Sequence, residues 1–189
     1  MAKLFICMAE GCEEVEALTA VDLIRRAGIE IDLVSISDEK RIKGSHNIEI
    51  GLDKVFDEIK LGDYDGLILP GGMPGTNYLK EDKRVIEAVQ RYAAEKKLVA
   101  AICAAPTVFG YAGILEGKNA TCYPGMEDGL SDAIKKTDEV VVDGNIITSR
   151  GMGTAIAFGL SIVAYFTDED TAKKLSKSIV ASVKFYSEK

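Results

Sequence analysis

The sequence predicts a doubly wound α/β fold, a mostly parallel sheet with helices on both faces and a small added β-ribbon. Two patterns carry this reading. Strand-like runs of five or six residues, apolar at Lys3–Met8, Gly66–Pro70 and Leu98–Ile102 and alternating at Glu30–Ser35, are separated by segments with helical spacing. The residues with most chemical potential, Glu13–Glu16, Gly71–Gly75 and Cys103, directly follow such runs. Open α/β sheets bind ligands beyond the carboxyl ends of their strands, so these three stretches should converge there.

Taken in order, Lys3–Met8 reads as the first strand and Ala9–Glu13 as a turn carrying Gly11. Glu14–Ala27 is a helix, stopped by Arg25, Arg26 and then Gly28, a basic last turn followed by glycine. The β-branched alternation of Glu30–Ser35 makes a strand, completing a β-α-β unit. Arg41–Ile50 is a short hairpin around Lys43-Gly44. Gly66–Pro70 is a buried strand, and Arg84–Lys97 is an amphipathic helix with Val85, Ile86, Val89 and Tyr92 inward. Leu98–Ile102 is another buried strand, and Thr121–Pro124 a brief extended piece. Glu139–Val142 and Ile146–Ser149 flank Asp143-Gly144-Asn145, a hairpin turn signal. Gly153–Phe166 is an apolar helix and Asp168–Ser187 a final amphipathic one. No repeat, low-complexity tract or linker interrupts the 189 residues, which read as one domain, 1–189.

Composition narrows the class. A net charge of −7 with no Lys/Arg cluster argues against a nucleic-acid partner. No apolar run is long enough to span a bilayer, and Met1–Met8 is too short for a signal-peptide core, so no membrane partner and a cytoplasmic location are expected. Cys7, Cys12, Cys103 and Cys122 are scattered with no C-x-x-C, and His46 is the sole histidine, so no metal and no cofactor is expected. In a reducing compartment the four thiols stay free.

The chemistry centres on Leu98–Gly110, L-V-A-A-I-C-A-A-P-T-V-F-G. An apolar strand passes without a spacer into Ala104, Ala105 and Pro106, a helical start in which proline is tolerated. Cys103 sits on that turn. A thiol at a helix start feels the positive end of the dipole, which predicts a pKa below the free value of about 8.5. The neighbouring N–H groups could serve as an oxyanion hole. A buried structural cysteine fits the stretch equally well. Gly71-Gly72 after a strand is either a turn needing positive φ or a backbone anion site; it is not a P-loop. Glu13 and Glu14 are read as carboxylates at a helix start that are solvated or favour the dipole, whereas Glu16, beside Val15 and Ala17, points elsewhere and is a candidate for partial burial. A carboxyl buried beside a thiolate would have a raised pKa and donate a hydrogen bond. His46, in the polar loop Lys43–Asn47, reads as a surface residue.

The order E-G-C-E-E-V-E after the first strand, then L-P-G-G, A-A-I-C-A-A-P-T and I-T-S-R-G-M-G-T, resembles the ThiJ/PfpI family from about residue 3 to about residue 180. The closest branch is that of the parkinsonism-associated protein deglycase and its bacterial relatives. The resemblance implies a flavodoxin-like sandwich and a homodimer. It implies that Cys103 is the nucleophile, that Glu16 is the buried acid hydrogen-bonded to it, and that Gly72 and Ala104 present oxyanion N–H groups. Tyr123 stands where that deglycase has a histidine, and His46 falls near a family arginine at the dimer interface, while Arg26 is retained. These three are possible accessory residues. The implied activity is that of a cofactor-independent glyoxalase or deglycase acting on a small α-oxoaldehyde or a glycated substrate, with oxidative-stress protection. A redox-sensing stress chaperone is the alternative, with Cys12 or Cys122 as resolving thiol. A cysteine peptidase is third, because Ala104 replaces the histidine that branch carries after its cysteine.

Overall fold

The structure, a computed structural model, describes residues 2–182. The first apolar run is β1 (Lys3–Met8), with five of its six residues buried because it lies inside a sheet covered on both faces. Helix α1 (Glu14–Arg26) follows. Its start is capped by the Glu13 carboxylate, which accepts from the Glu16 N–H at 2.7 Å, and it ends at Gly28 with φ +76°. Next come β2 (Glu30–Ser35), the ribbon strands β3 (Arg41–Lys43) and β4 (Glu49–Gly51), and the short β5 (Lys54–Val55). The ribbon is antiparallel, as expected, and turns over Gly44–Ile48.

Strand β6 (Gly66–Leu69) leads through the glycine loop to α2 (Gly75–Glu81), a two-turn helix that the glycine- and proline-rich sequence hid. Helix α3 (Lys83–Ala94) ends three residues earlier than its periodicity predicts. Lys96 takes a left-handed φ of +57°, turning the chain into β7 (Leu98–Ile102), although Glu95-Lys96-Lys97 are all good helix formers. Beyond β7 lie α4 (Pro106–Tyr111), β8 (Asn119–Ala120), β9 (Ile134–Lys135), and the hairpin β10 (Val140–Asp143) and β11 (Ile146–Ser149). The extended piece expected at Thr121–Pro124 is instead β8, just before it. Helices α5 (Ala155–Phe166) and α6 (Glu169–Ser178) close the described chain. The last helix stops at Ser178 rather than Ser187: Ile179 caps it, and Val180 has φ +58°. Residues 183–187 of the expected helix lie outside the described residues.

The main sheet runs β10-β11-β7-β6-β1-β2-β5, parallel except for the β10–β11 hairpin at its edge. The chain winds outward from β1 through β2 to β5. It then crosses back to β6 on the other side of β1, so the switch point lies between β1 and β6. Helices α1, α5 and α6 bury one face, with Leu4, Ile6, Ile24, Phe158 and Ile162 in its core. Helices α2, α3 and α4 cover the other, around Phe5, Leu67, Tyr92 and Phe109. None of the described helices is long and apolar enough to cross a membrane.

Candidate active site

Three loops leave the C-terminal ends of β1, β6 and β7 and meet at the switch point. From β7, Cys103 adopts φ +64°, a left-handed conformation that costs a side-chain-bearing residue of order 1–3 kcal/mol. Neighbouring strands and loops hold it there. The Cys103 N–H donates to Ser149 O at 2.9 Å, and the Tyr123 N–H donates to Cys103 O at 2.7 Å. The α-helix proper starts only at Pro106, so Ala104 and Ala105 form the turn, and the Ala104 N–H faces the sulfur. From β6, the Gly72 N–H faces it as well, with Gly72 at φ +89°. From α1, Glu16 is buried to 1% exposure; its carboxyl hydrogen-bonds the Cys103 thiol and accepts from the Gly71 N–H at 3.0 Å. Glycine at 71 is required for this approach. A Cβ there would lie 2.6 Å from both Cys103 Cβ and Glu16 Oε2.

The electrostatics reverse one expectation. Burial pushes the Glu16 carboxyl up to about 7, aided by the charge of Glu13 and opposed by the bonds from Cys103 and Gly71. Burial likewise pushes the Cys103 thiol up, to about 12, and the Glu16 charge and hydrogen bond add to it. The N–H groups of Ala104 and Gly72 pull the other way and lose. The lowered thiol pKa that the helix start predicted is therefore not found: the thiol is desolvated and shares its pocket with an acid. The pair releases one proton near neutrality and the second only in strong alkali. Between those limits it carries one negative charge and one proton along the Cys103–Glu16 hydrogen bond.

The other expected residues lie elsewhere. Tyr123 is tied to Cys103 through its backbone, while its ring is half exposed and lies 3.4 Å from where a Cβ on Gly151 would sit. Arg26 is ten residues along α1 from Glu16, about 15 Å at 1.5 Å per residue, and pairs with Asp22 at 2.6 Å. His46 does not join Cys103. Its ring Nδ1 lies 3.0 Å from Glu14 Oε2, and its N–H donates to Glu14 Oε1 at 2.8 Å. Glu14 is thus not the solvated carboxylate expected. It is buried to 3% exposure and clasps the ribbon turn against α1. No signal in the local spacing marks this, because the partner is 32 residues away. Donor atoms of Glu13, Glu14 and His46 lie within 4.8 Å of one another, but both Glu14 oxygens are already engaged by the ribbon turn. All four cysteines are free, and only Cys103 is not buried.

A parallel α/β sheet with a cysteine on a left-handed turn, a buried acid on its sulfur and two N–H groups facing it defines a doubly wound protein with a thiol-centred site. Residues 2–165 match the DJ-1/PfpI family, and the chain belongs to it. It is 34% identical over 179 residues to protein dj-1beta of Drosophila melanogaster, covering 94% of this chain and 96% of that one. It is 32% identical over 158 residues to a deglycase of Pyrococcus abyssi, covering 82% and 94%. The solved structure of oxidized Toxoplasma gondii DJ-1 superimposes with a TM-score of 0.93 at 30% identity, covering 97% of this chain and all of that one. The flavodoxin-like architecture implied by the sequence is the one found.

Proposed function

We propose that this protein is a cofactor-independent, cysteine-dependent glyoxalase or deglycase acting on small α-oxoaldehydes or their early adducts. The observation that carries the reading is the hydrogen bond between the buried Glu16 carboxyl and the Cys103 thiol, in front of the Gly72 and Ala104 N–H groups. With the proton on Glu16, the Cys103 thiolate adds to the aldehyde carbon of methylglyoxal, and the new alkoxide sits against the two N–H groups as it is protonated to a hemithioacetal. Glu16, now a carboxylate, moves the proton from that carbon to its neighbour, converting the hemithioacetal to a lactoyl thioester. Water then cleaves the thioester, giving lactate and the free thiol, for a net methylglyoxal plus water to lactate. A deglycase named among the relatives supports the same class.

The peptidase alternative has no support in the pocket, since the imidazole of His46 is bound to Glu14. Redox sensing is favoured by one fact, that Cys103 alone of the four thiols is not buried, whereas the full burial of Cys12 and Cys122 counts against either as its resolving thiol. The homodimer implied by the resemblance would use the face of α1 and α5. There Val15, Leu18, Ile48 and Ile156 are exposed around an apolar trough of ≈ 540 Å³ that Arg26 also lines.

The test is lactate production from methylglyoxal with the wild-type protein, Cys103→Ser and Glu16→Gln, alongside mass-spectrometric mapping of iodoacetamide labelling. Lactate should form only with the wild type, and Cys103 should label before the buried thiols. Wild-type turnover in Cys103→Ser would overturn the reading.

A further inference from the structure

Glu13 joins the loops of the Cys103 pocket, yet the reaction above does not use it. Its side chain is largely buried, 13% exposed. One carboxylate oxygen, Oε2, accepts from the Glu16 N–H at 2.7 Å and so caps α1. The other, Oε1, lies 3.9 Å from His46 Nδ1 on the ribbon turn. The Glu13 N–H donates to Gly71 O at 2.9 Å, while the Gly71 N–H donates to Glu16 Oε2 at 3.0 Å. Glu13, Gly71 and Glu16 therefore close a hydrogen-bonded ring beside the thiol that Glu16 binds. Gly72 packs on the same residue, since a Cβ there would strike the Glu13 N.

Capping alone does not call for glutamate, because Asn, Asp and Ser are the favoured caps. The carboxylate does more than cap. It sets a second negative charge next to a buried acid, and that charge is felt at Glu16, where it opposes ionisation. The leading influences on the Cys103 thiol are burial, Glu16 and the Ala104 and Gly72 N–H groups, with Glu13 not among them. Two other titratable groups adjoin the ring. Cys12, a buried thiol on the loop before α1, feels both Glu13 and Glu16, and His46 feels Glu14 and Glu13.

We infer that Glu13 is a positioning residue of the Cys103 site, one that fixes the Glu16 carboxyl and the Gly71–Gly72 loop together and, by its charge, keeps the transferable proton on Glu16. The singly ionised pair has two forms, thiolate with carboxylic acid and thiol with carboxylate, and only the first adds to a carbonyl. A negative charge next to Glu16 disfavours the second form. The inference rests on the reading of Cys103 as nucleophile and Glu16 as proton carrier, but it concerns the reactivity of the thiol and needs no turnover.

The test is the iodoacetamide labelling rate of Cys103 from pH 5 to pH 8.5 in the wild type, Glu13→Asp and Glu13→Asn. Asp and Asn cap about equally well and differ in one charge. On the acid side, where Glu16 is protonated in both variants, their rates should coincide. At higher pH the Glu13→Asn rate should level off about threefold below that of Glu13→Asp, with its inflection about half a pH unit lower. Glu13→Asp, which keeps the charge, should level off with the wild type. A drop shared by both variants overturns the proposal. So does a Glu13→Asn rate lower by the same factor at every pH, since a displaced loop would slow labelling throughout. The expected profiles in a protein that forms no lactate from methylglyoxal would sink the proposed reaction and leave the role of Glu13 standing. Lactate formation with coincident Asp and Asn profiles would do the reverse.

Discussion

Glu16→Gln should make the protein more stable in mild alkali while removing the group proposed to move the proton. The Glu16 carboxyl titrates at about 7 in the fold against 4.5 ordinarily. At about 1.36 kcal/mol for each pKa unit, its ionisation costs the folded state ~3 kcal/mol. Because the folded pKa is raised, the stabilising contribution is complete below about pH 4.5, where Glu16 is protonated folded or unfolded. It is lost progressively as pH rises through 7. Glutamine keeps the shape and can still accept from the Gly71 N–H, but it carries no charge to bury. Urea unfolding of wild type and variant should be compared from pH 5 to pH 8.5. With an m-value of about 2 kcal/mol/M, the midpoint difference should grow by about 1.3 M in favour of the variant across that window, at unchanged m, part of the loss being already complete at pH 5. The Cys103 thiol should also ionise more easily in the variant, since the Glu16 charge is among the causes that raise it. Its iodoacetamide rate at pH 8 should rise. A midpoint difference that does not vary with pH would refute the reasoning, because it would mean that Glu16 titrates as an ordinary surface carboxyl.

Gly71→Ala should lower stability by about 1–3 kcal/mol in urea, as the new methyl meets Cys103 Cβ and Glu16 Oε2, and it should slow Cys103 labelling; wild-type behaviour in both assays would contradict the packing. Glu14→Gln should flatten the acid limb of stability. Burial alone would raise the Glu14 pKa, but side-chain and backbone hydrogen bonds from His46 outweigh it and hold the carboxyl at about 2, so its contribution is complete above pH 4.5 and lost as pH falls towards 2. Acid unfolding curves that coincide for Glu14→Gln and wild type would show that the clasp contributes nothing.

Where the sequence carries local information, it determined the outcome. The apolar runs at Lys3–Met8 and Leu98–Ile102 became central strands because both sheet faces are covered. Positions after strand ends converged because a doubly wound sheet brings the carboxyl ends of adjacent parallel strands together. Hence the stretches Glu13–Glu16, Gly71–Gly75 and Cys103 were legible as a group, and the family resemblance singled out Glu16, Gly72 and Ala104 around the thiol. Helix ends were less so: Lys96 and Val180 adopt positive φ although their side chains favour other conformations, since the path of the chain decided there. Only the tertiary structure could show that Glu14 is buried against His46, because the partner lies 32 residues away in the chain. It also decided the sign of the thiol shift. A helix start favours thiolate in isolation, but burial and the Glu16 charge depend on what packs around the sulfur, and in a desolvated pocket they outweigh two N–H groups.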